Sequence, residues 1–123
     1  MSAKSVAERL QVKGDRHLAV LGASPDLDHA VGALGARADI AHADVILLVT
    51  PDCARLRARL PTVLAKGRPA AILWVAYPKL SSPLAADLNR DLIHSLAPEY
   101  GLDTVSQIAI DDDWSALRLK RLG

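Results

Sequence analysis

The sequence predicts an α/β protein in which helices cover both faces of a mostly parallel sheet of about five strands. Short apolar segments of strand length alternate with segments whose apolar residues recur at helical spacing. The strongest strand candidate, 44–49, is apolar without interruption after its first residue, which is typical of a strand buried on both faces of a parallel sheet. We therefore expect a three-layer, Rossmann-like fold that a C-terminal antiparallel hairpin closes.

Composition sets the class of protein before any motif is considered. The 123 residues are 50% apolar and 24% charged, which is enough to bury one core, so we expect a single domain over 1–123. The formal net charge of +1 lacks the basic excess of a nucleic-acid-binding protein. Cys53 is the only cysteine, which excludes a disulfide framework.

The first third of the chain predicts a helix, a strand and a second helix. Ser5 and Glu8 have the spacing of a capping box, which starts a short helix. The apolar run 17–21 has strand length. Ser24 then has the position of an N-cap before Pro25, and Gly35 marks the end of that helix. Residues 36–41 leave room only for a marginal edge strand.

The middle of the chain repeats the same alternation. After the strand 44–49, Thr50 is expected to cap a helix that Pro61 kinks or splits. The run 71–77 is another buried strand. Ser82 with Pro83 is expected to start a further helix by the same chemistry. Its inner face would carry Leu84, Leu88, Leu92 and Leu96.

The last segments are 104–110 and 114–120, separated by three consecutive aspartates. Apolar residues in the second segment alternate with polar ones, which is the period of a strand. The pair predicts an antiparallel hairpin. Its strand 104–110 is a candidate sheet edge, and pairing of that edge across a two-fold axis would give a homodimer.

A ligand site is expected where the carboxyl ends of the parallel strands meet, because open α/β sheets bind ligands beyond those ends. The helix N-termini at Ser24 and Thr50 would face the same place, and their N–H groups suit an anion. The candidate ligand-binding residues at this rim are Ser24, Asp52, Tyr77, Lys79, Asp112, Asp113 and Trp114.

Each of these residues also has an ordinary structural explanation. Ser24 fits a plain strand-to-helix turn, since the repeated glycines of a dinucleotide site are missing. The aspartate run fits a solvated hairpin tip, and no metal is expected there. Tyr77 and Lys79 could offer a donor and a cation to an acidic ligand, while Trp114 could stack on a ligand or cover the core.

Two stretches resemble a family of short bacterial proteins that is catalogued as a domain of unknown function. The first is the run Leu-Trp-Val-Ala-Tyr-Pro-Lys at 73–79. The second is Tyr-Gly-Leu at 100–102 followed by Asp-Asp-Trp-Ser-Ala-Leu-Arg at 112–118. The opening helix at 6–10 matches as well, so the resemblance spans nearly the whole chain. It implies no activity, because none is established for the family.

The order of elements is also similar to the class I methyltransferase fold. That resemblance implies that 114–120 lies between 71–77 and 104–110. The glycine-rich cofactor loop of that fold is here only Gly-Ala-Ser-Pro at 22–25, and Asp39 is a poorly placed substitute for the acidic residue that holds the ribose. The resemblance therefore implies a shortened relative with a degenerate cofactor site.

Two functions follow from these observations. The first is a non-catalytic module that binds a small acidic ligand or a protein partner, without a cofactor. The alternative is a small enzyme related to S-adenosylmethionine-dependent methyltransferases, with Lys79, Tyr77 and the acidic tip as acid and base; S-adenosylmethionine or a nucleotide would then be its cofactor. No targeting sequence or membrane-spanning run is visible, so we expect a cytoplasmic bacterial protein that does not contact a membrane.

Overall fold

A computed structural model of the chain describes residues 5–122. Within that range the chain forms one five-stranded sheet and four α-helices. In chain order they are α1 (Val6–Arg9), β1 (Leu18–Leu21), α2 (Pro25–Val31), β2 (Val45–Val49), α3 (Cys53–Lys66), β3 (Ile72–Pro78), α4 (Arg90–Leu96), β4 (Leu102–Ala109) and β5 (Trp114–Arg121). Short 3₁₀ turns occupy Leu34–Ala36 and Ala97–Tyr100.

The sheet has the strand order β1-β2-β3-β5-β4. Its pairings are parallel between β1, β2 and β3, but antiparallel between β3 and β5 and between β5 and β4. The α/β class is confirmed, and the predicted mostly parallel, Rossmann-like sheet is wrong. The position of β5 between β3 and β4 is the one that the methyltransferase resemblance implies for 114–120. Because β5 is antiparallel to both neighbours, two of the four pairings in the sheet are antiparallel.

Helices cover both faces of the sheet. On the face that we call the α1/α2 face, Leu27 and Val31 of α2 pack against Leu47 and Trp74. On the opposite face, the α3/α4 face, Leu60 of α3 and the apolar side of α4 pack against the sheet. The central strand β2 is buried along its whole length, as its unbroken apolar sequence predicts.

The N-terminal elements largely follow the predicted signals. The capping box is confirmed, since Glu8 N–H donates to the Ser5 hydroxyl at 3.2 Å. Helix α2 ends earlier than expected, because Gly32, with a φ of +73°, terminates it three residues before Gly35. Of the possible edge strand at 36–41, only an isolated parallel bridge forms, between Leu18 and Arg37.

Helix α3 begins two residues later than predicted. Thr50 is not its cap: this residue is fully buried, and its hydroxyl donates to the carbonyl of Ala76 on β3 at 3.0 Å. Asp52 is the N-cap instead, and its carboxylate accepts from the backbone N–H of Arg55 at 2.8 Å. Pro61 lies inside the helix without splitting it.

The helix that was predicted to begin at Ser82 does not form there. The Ser82 hydroxyl donates to Asp113 and accepts from the N–H of Leu84, so it closes a turn. Helix α4 begins at Arg90, where the Asn89 side chain accepts from the N–H of the third helical residue. Leu84 is consequently exposed, whereas an inner-face position had been expected. No helix within 5–122 has both the length and the apolar character that crossing a bilayer requires.

Candidate functional site

The strand directions that a common rim requires are present. Strands β1, β2 and β3 are parallel, so their carboxyl ends lie at one edge of the sheet. Strand β4 runs in the same direction, because both it and β3 are antiparallel to β5. The tip of the β4–β5 hairpin, 110–113, therefore lies at the same edge.

The sheet nevertheless divides the candidate residues between its two faces. Tyr77 belongs to the core of the α3/α4 face, whereas Trp114 packs on the α1/α2 face. Ser24 caps α2 on the α1/α2 face, while Asp52 caps α3 on the other. Of the seven candidates, only Tyr77 and Lys79 line the same cleft.

The helix N-termini are already occupied by side chains. The Ser24 hydroxyl accepts from the Leu27 N–H at 3.2 Å. At the start of α3, Asp52 holds one N–H, and the carboxylate of Asp87 accepts from the N–H of Cys53 at 2.9 Å. Because two carboxylates already accept from the N–H groups at the start of α3, an incoming anion would meet negative charge at that end of the helix.

The aspartate run is a hydrogen-bonded turn. One carboxylate oxygen of Asp111 accepts from the N–H groups of Asp113 and Trp114, both at 2.8 Å. The Asp113 carboxylate accepts from Ser82 at 2.8 Å, and its carbonyl accepts from the Lys79 N–H at the same distance. Asp113 thus holds the tip against the segment after β3. Among residues 5–122, no three His, Cys, Asp or Glu side chains are grouped so that they could hold a metal ion.

A cleft of about 740 Å³ opens on the α3/α4 face, beside the carboxyl end of β3. The segment after β3, the start of α4 and the ends of β4 and β5 form its walls. Its lining residues are Tyr77, Lys79, Leu80, Ser81, Asn89, Arg90, Gln107, Ile108, Ala109 and Ser115. This volume lies in the range of small-molecule sites, roughly 300–1,000 Å³.

The charged side chains that line the cleft have one sign, and the Asp91 carboxylate, which does not line it, is close enough to act on Tyr77. Among the lining residues in the described part of the chain, the charged ones are Lys79 and Arg90, and neither takes part in an ion pair there. Tyr77 is buried, and this burial raises the pKa of its phenol. The nearby Arg90 charge and the Ser115 side chain lower the pKa, and the Asp91 charge adds a smaller rise. The phenol therefore keeps its proton at neutral pH and can act as a hydrogen-bond donor.

Several lining residues were not predicted from the sequence. Arg90 and Asn89 were missed because the helix was expected to begin at Ser82. Gln107 lies on β4 and Ser115 lies opposite Tyr77 on β5. Both are within the predicted hairpin strands, but only the tip of that hairpin was expected to contribute to a site. A signal for Asn89 was available, since an asparagine one residue before a charged helical turn is a good N-cap.

A second cavity, of about 270 Å³, lies at the opposite end of the sheet and includes Arg68 and Arg121 among its lining residues. Their guanidinium groups already have protein partners. Arg68 lies 3.4 Å from the carboxylate of Asp44, and Arg121 donates to the carbonyl of Leu64 at 2.8 Å. Arg118 and Lys120 also line this cavity, but its volume lies below the roughly 300–1,000 Å³ of small-molecule sites, so it is a weaker candidate than the cleft beside β3.

The loop after β1 does not fit the cofactor that the methyltransferase resemblance implies. In such a loop, glycine lets the cofactor approach the backbone. Here a Cβ added at Gly22 would lie 2.6 Å from a guanidinium nitrogen of Arg59 and 2.9 Å from the carbonyl oxygen of Val49. The chain's own atoms fill this space, and Asp39 is engaged with His42 at 2.6 Å. We therefore derive no step through S-adenosylmethionine or a nucleotide.

Compared with protein-family models and with curated proteins, the chain matches none. The resemblance to the short bacterial family therefore stays a prediction. The fold and the cleft define the chain as a small mixed α/β domain, and its function has to be argued from the cleft.

Proposed function

We propose that this protein is a binding module for a small organic anion, held in the cleft between β3, β4 and the start of α4. The observation that carries this proposal is that Lys79 and Arg90 both line the cleft, whose other lining residues are neutral polar or apolar. Two cations without carboxylate partners in residues 5–122 leave positive potential that an anionic ligand would neutralise.

The other lining groups suit the rest of such a ligand. The neutral phenol of Tyr77, the amides of Asn89 and Gln107 and the hydroxyl of Ser115 can hydrogen-bond carboxylate or phosphate oxygens. Leu80, which is 71% exposed, adds an apolar surface at the mouth. We infer a ligand with one or two acidic groups on a carbon framework of roughly ten to twenty heavy atoms, given the cleft volume.

The test measures binding of defined probes by thermal unfolding and calorimetry. Citrate, glucose 6-phosphate and adenosine monophosphate serve as anionic probes, and glucose as the neutral control. A probe at a hundredfold excess over its Kd should stabilise the fold by about 2.7 kcal/mol. Lys79→Met and Arg90→Gln should each weaken binding about tenfold or more, because each removes a hydrogen bond to a charged group.

Arg55→Gln is the matched control for these variants. Arg55 is an exposed arginine near the start of α3 and does not line the cleft, so its loss should leave binding unchanged. Equal stabilisation by glucose and by the anions would contradict the proposal. An equal loss of affinity in Arg55→Gln and Arg90→Gln would contradict it too, because binding would then depend on net charge alone.

The catalytic alternative required Lys79 and Asp113 to line one pocket. The cleft contains Lys79 but not Asp113, whose carboxylate is bonded to Ser82. No carboxylate among the described lining residues is available as a general base beside Tyr77 and Lys79. The arrangement therefore supports binding better than acid–base chemistry.

A further inference from the structure

The two edges of the sheet differ in how they are protected. Strand β1 has four residues, and the neighbouring segment covers it through the Leu18–Arg37 bridge and a hydrogen bond from Ala38 N–H to Leu18 at 3.0 Å. Strand β4 has eight residues and, within residues 5–122, pairs with no strand other than β5. Most of its residues are exposed, and Val105 is 53% exposed. An edge of this length is a template for pairing with another strand.

Hydrogen bonds at both ends of the hairpin determine which β4 groups face outward. At one end, Leu122 N–H donates to Gly101 at 2.8 Å, and at the other, Ile110 N–H donates to Trp114 at 2.9 Å. Bonded and non-bonded pairs alternate along an antiparallel ladder. Gly101 and Ile110 thus belong to bonded pairs, and the alternation continues inward from each of them. The backbone groups that face away from β5 therefore belong to Leu102, Thr104, Gln107 and Ala109.

A contact at Thr104 supports this assignment. Its N–H donates to the side chain of Asp103 at 2.9 Å, so this N–H is not used by β5.

The bulge in β4 interrupts the regular spacing of these outward groups. The register shifts between Thr104 and Gln107, so that Val105 and Ser106 together oppose one residue of β5. Outward-facing residues are therefore two apart on each side of the bulge and three apart across it. A regular strand presents its bonding groups every second residue, so it could match only one half of this edge.

The strand that matches the whole edge is a second copy of β4. We propose that the protein forms a two-fold dimer through antiparallel pairing of β4, with the axis between Val105 and Ser106. In this register Thr104 lies opposite Gln107 of the second copy, and Ala109 lies opposite Leu102. Because Leu102 is fully buried within the single chain, its outward backbone groups become accessible only when the residues that cover it move aside. Every outward-facing residue then meets an outward-facing residue, because the bulge lies at the centre of the paired segment. The result is a continuous ten-stranded sheet.

The charges of β4 are compatible with this pairing. Asp103 is the only charged residue in 102–109, and in the proposed register it lies opposite Ile108 rather than another acid. The net charge of +1 adds little repulsion between two copies. Asp103 opposes association in one way, since its carboxylate must release the Thr104 N–H before that donor can reach the second copy.

The test combines sedimentation equilibrium with amide hydrogen exchange. Across protein concentrations up to about 1 mM, the mass should rise from one chain to two. In the dimer, the amides of Gln107 and Ala109 should gain protection from exchange. Those of Asp103 and Ile108, which face β5, and that of Leu102, which is already buried in the single chain, should change little. Asp103→Ala should tighten the dimer by freeing the Thr104 N–H.

Val105→Lys should weaken the dimer at least tenfold, because it places two like charges beside the axis. Leu34→Lys is the control, since Leu34 is also exposed, at 63%, but follows α2 at a distance from β4 along the sheet. Thermal unfolding would verify that both variants fold. A chain that stays monomeric at the highest concentration would overturn the proposal. A dimer that Val105→Lys and Asp103→Ala leave unchanged would overturn it as well, as would protection of other amides, which would indicate another interface.

Discussion

Replacing Trp74 by phenylalanine tests how the start of the chain is attached to the sheet. Trp74 is 2% exposed, and its indole N–H donates to the carbonyl of Leu10 at 3.0 Å. Leu10 directly follows α1 and is itself fully buried. The next residue, Gln11, has a φ of +77°, so the chain makes a sharp turn immediately after this contact.

Two losses add up in Trp74→Phe. A phenyl ring cannot donate a hydrogen bond, so the buried carbonyl of Leu10 loses this partner, which costs about 1–3 kcal/mol. The smaller ring also leaves a void beside α1 and α2, which costs about 1 kcal/mol more. We expect a total loss of about 2–4 kcal/mol, which is a large share of the roughly 5–15 kcal/mol that stabilises a domain of this size.

Urea unfolding followed by far-UV circular dichroism measures this loss without depending on the indole signal. Trp114→Phe is the matched control, because Trp114 is only half-buried at the rim and has no indole hydrogen bond within residues 5–122. We expect the control to lose less than half as much stability. A loss below about 1 kcal/mol in Trp74→Phe would refute the reasoning, because the carbonyl would then be satisfied by other means.

Three further changes have expected outcomes that unfolding experiments can measure. Gly22→Ala should cost more than Gly32→Ala: both glycines have positive φ, but a Cβ at Gly22 would lie 2.9 Å from the carbonyl oxygen of Val49, whereas one at Gly32 meets open space. Equal losses would show that the backbone shifts freely at Gly22. Thr50→Val should cost about 1 kcal/mol or less, because the backbone N–H of Thr50 donates to the same carbonyl as the lost hydroxyl; a loss above about 2 kcal/mol would contradict this. Burial raises the pKa of Tyr77 above 10.0, so the unfolded chain loses this proton first, and stability should fall as the pH rises above that value. Tyr77→Phe should reduce this alkaline fall, and an unchanged pH profile would count against a buried phenol.

Local signals in the sequence predicted most of the elements. Uninterrupted apolar runs identified β2 and β3, and the capping box identified α1, because these features depend on residues close together in the chain. Ser82 misled the prediction because its hydroxyl has a partner 31 residues away, Asp113, and cap chemistry read from the sequence cannot detect a competing acceptor. The prediction that Thr50 caps α3 failed for the same reason, since its hydroxyl donates to a carbonyl on β3.

The candidate site was predicted less completely than the fold. The rule that strand ends gather ligand groups led to Tyr77 and Lys79. This rule does not say on which face of the sheet a side chain lies. It therefore grouped Trp114 with Tyr77, although the two residues pack on opposite faces. In the missing half of the cleft, Arg90 depends on the true start of α4, and Gln107 lies on β4 outside the hairpin tip that was expected to form the site.

The place of β5 between β3 and β4 constrains the order in which this molecule can assemble. Strand β4 is made first, yet it has no partner in the sheet until the residues after it have returned along β3. Without residues 114–121, β4 therefore has no partner strand among residues 5–122. The five-stranded sheet can be completed only when β5 is present, because both antiparallel pairings involve this strand.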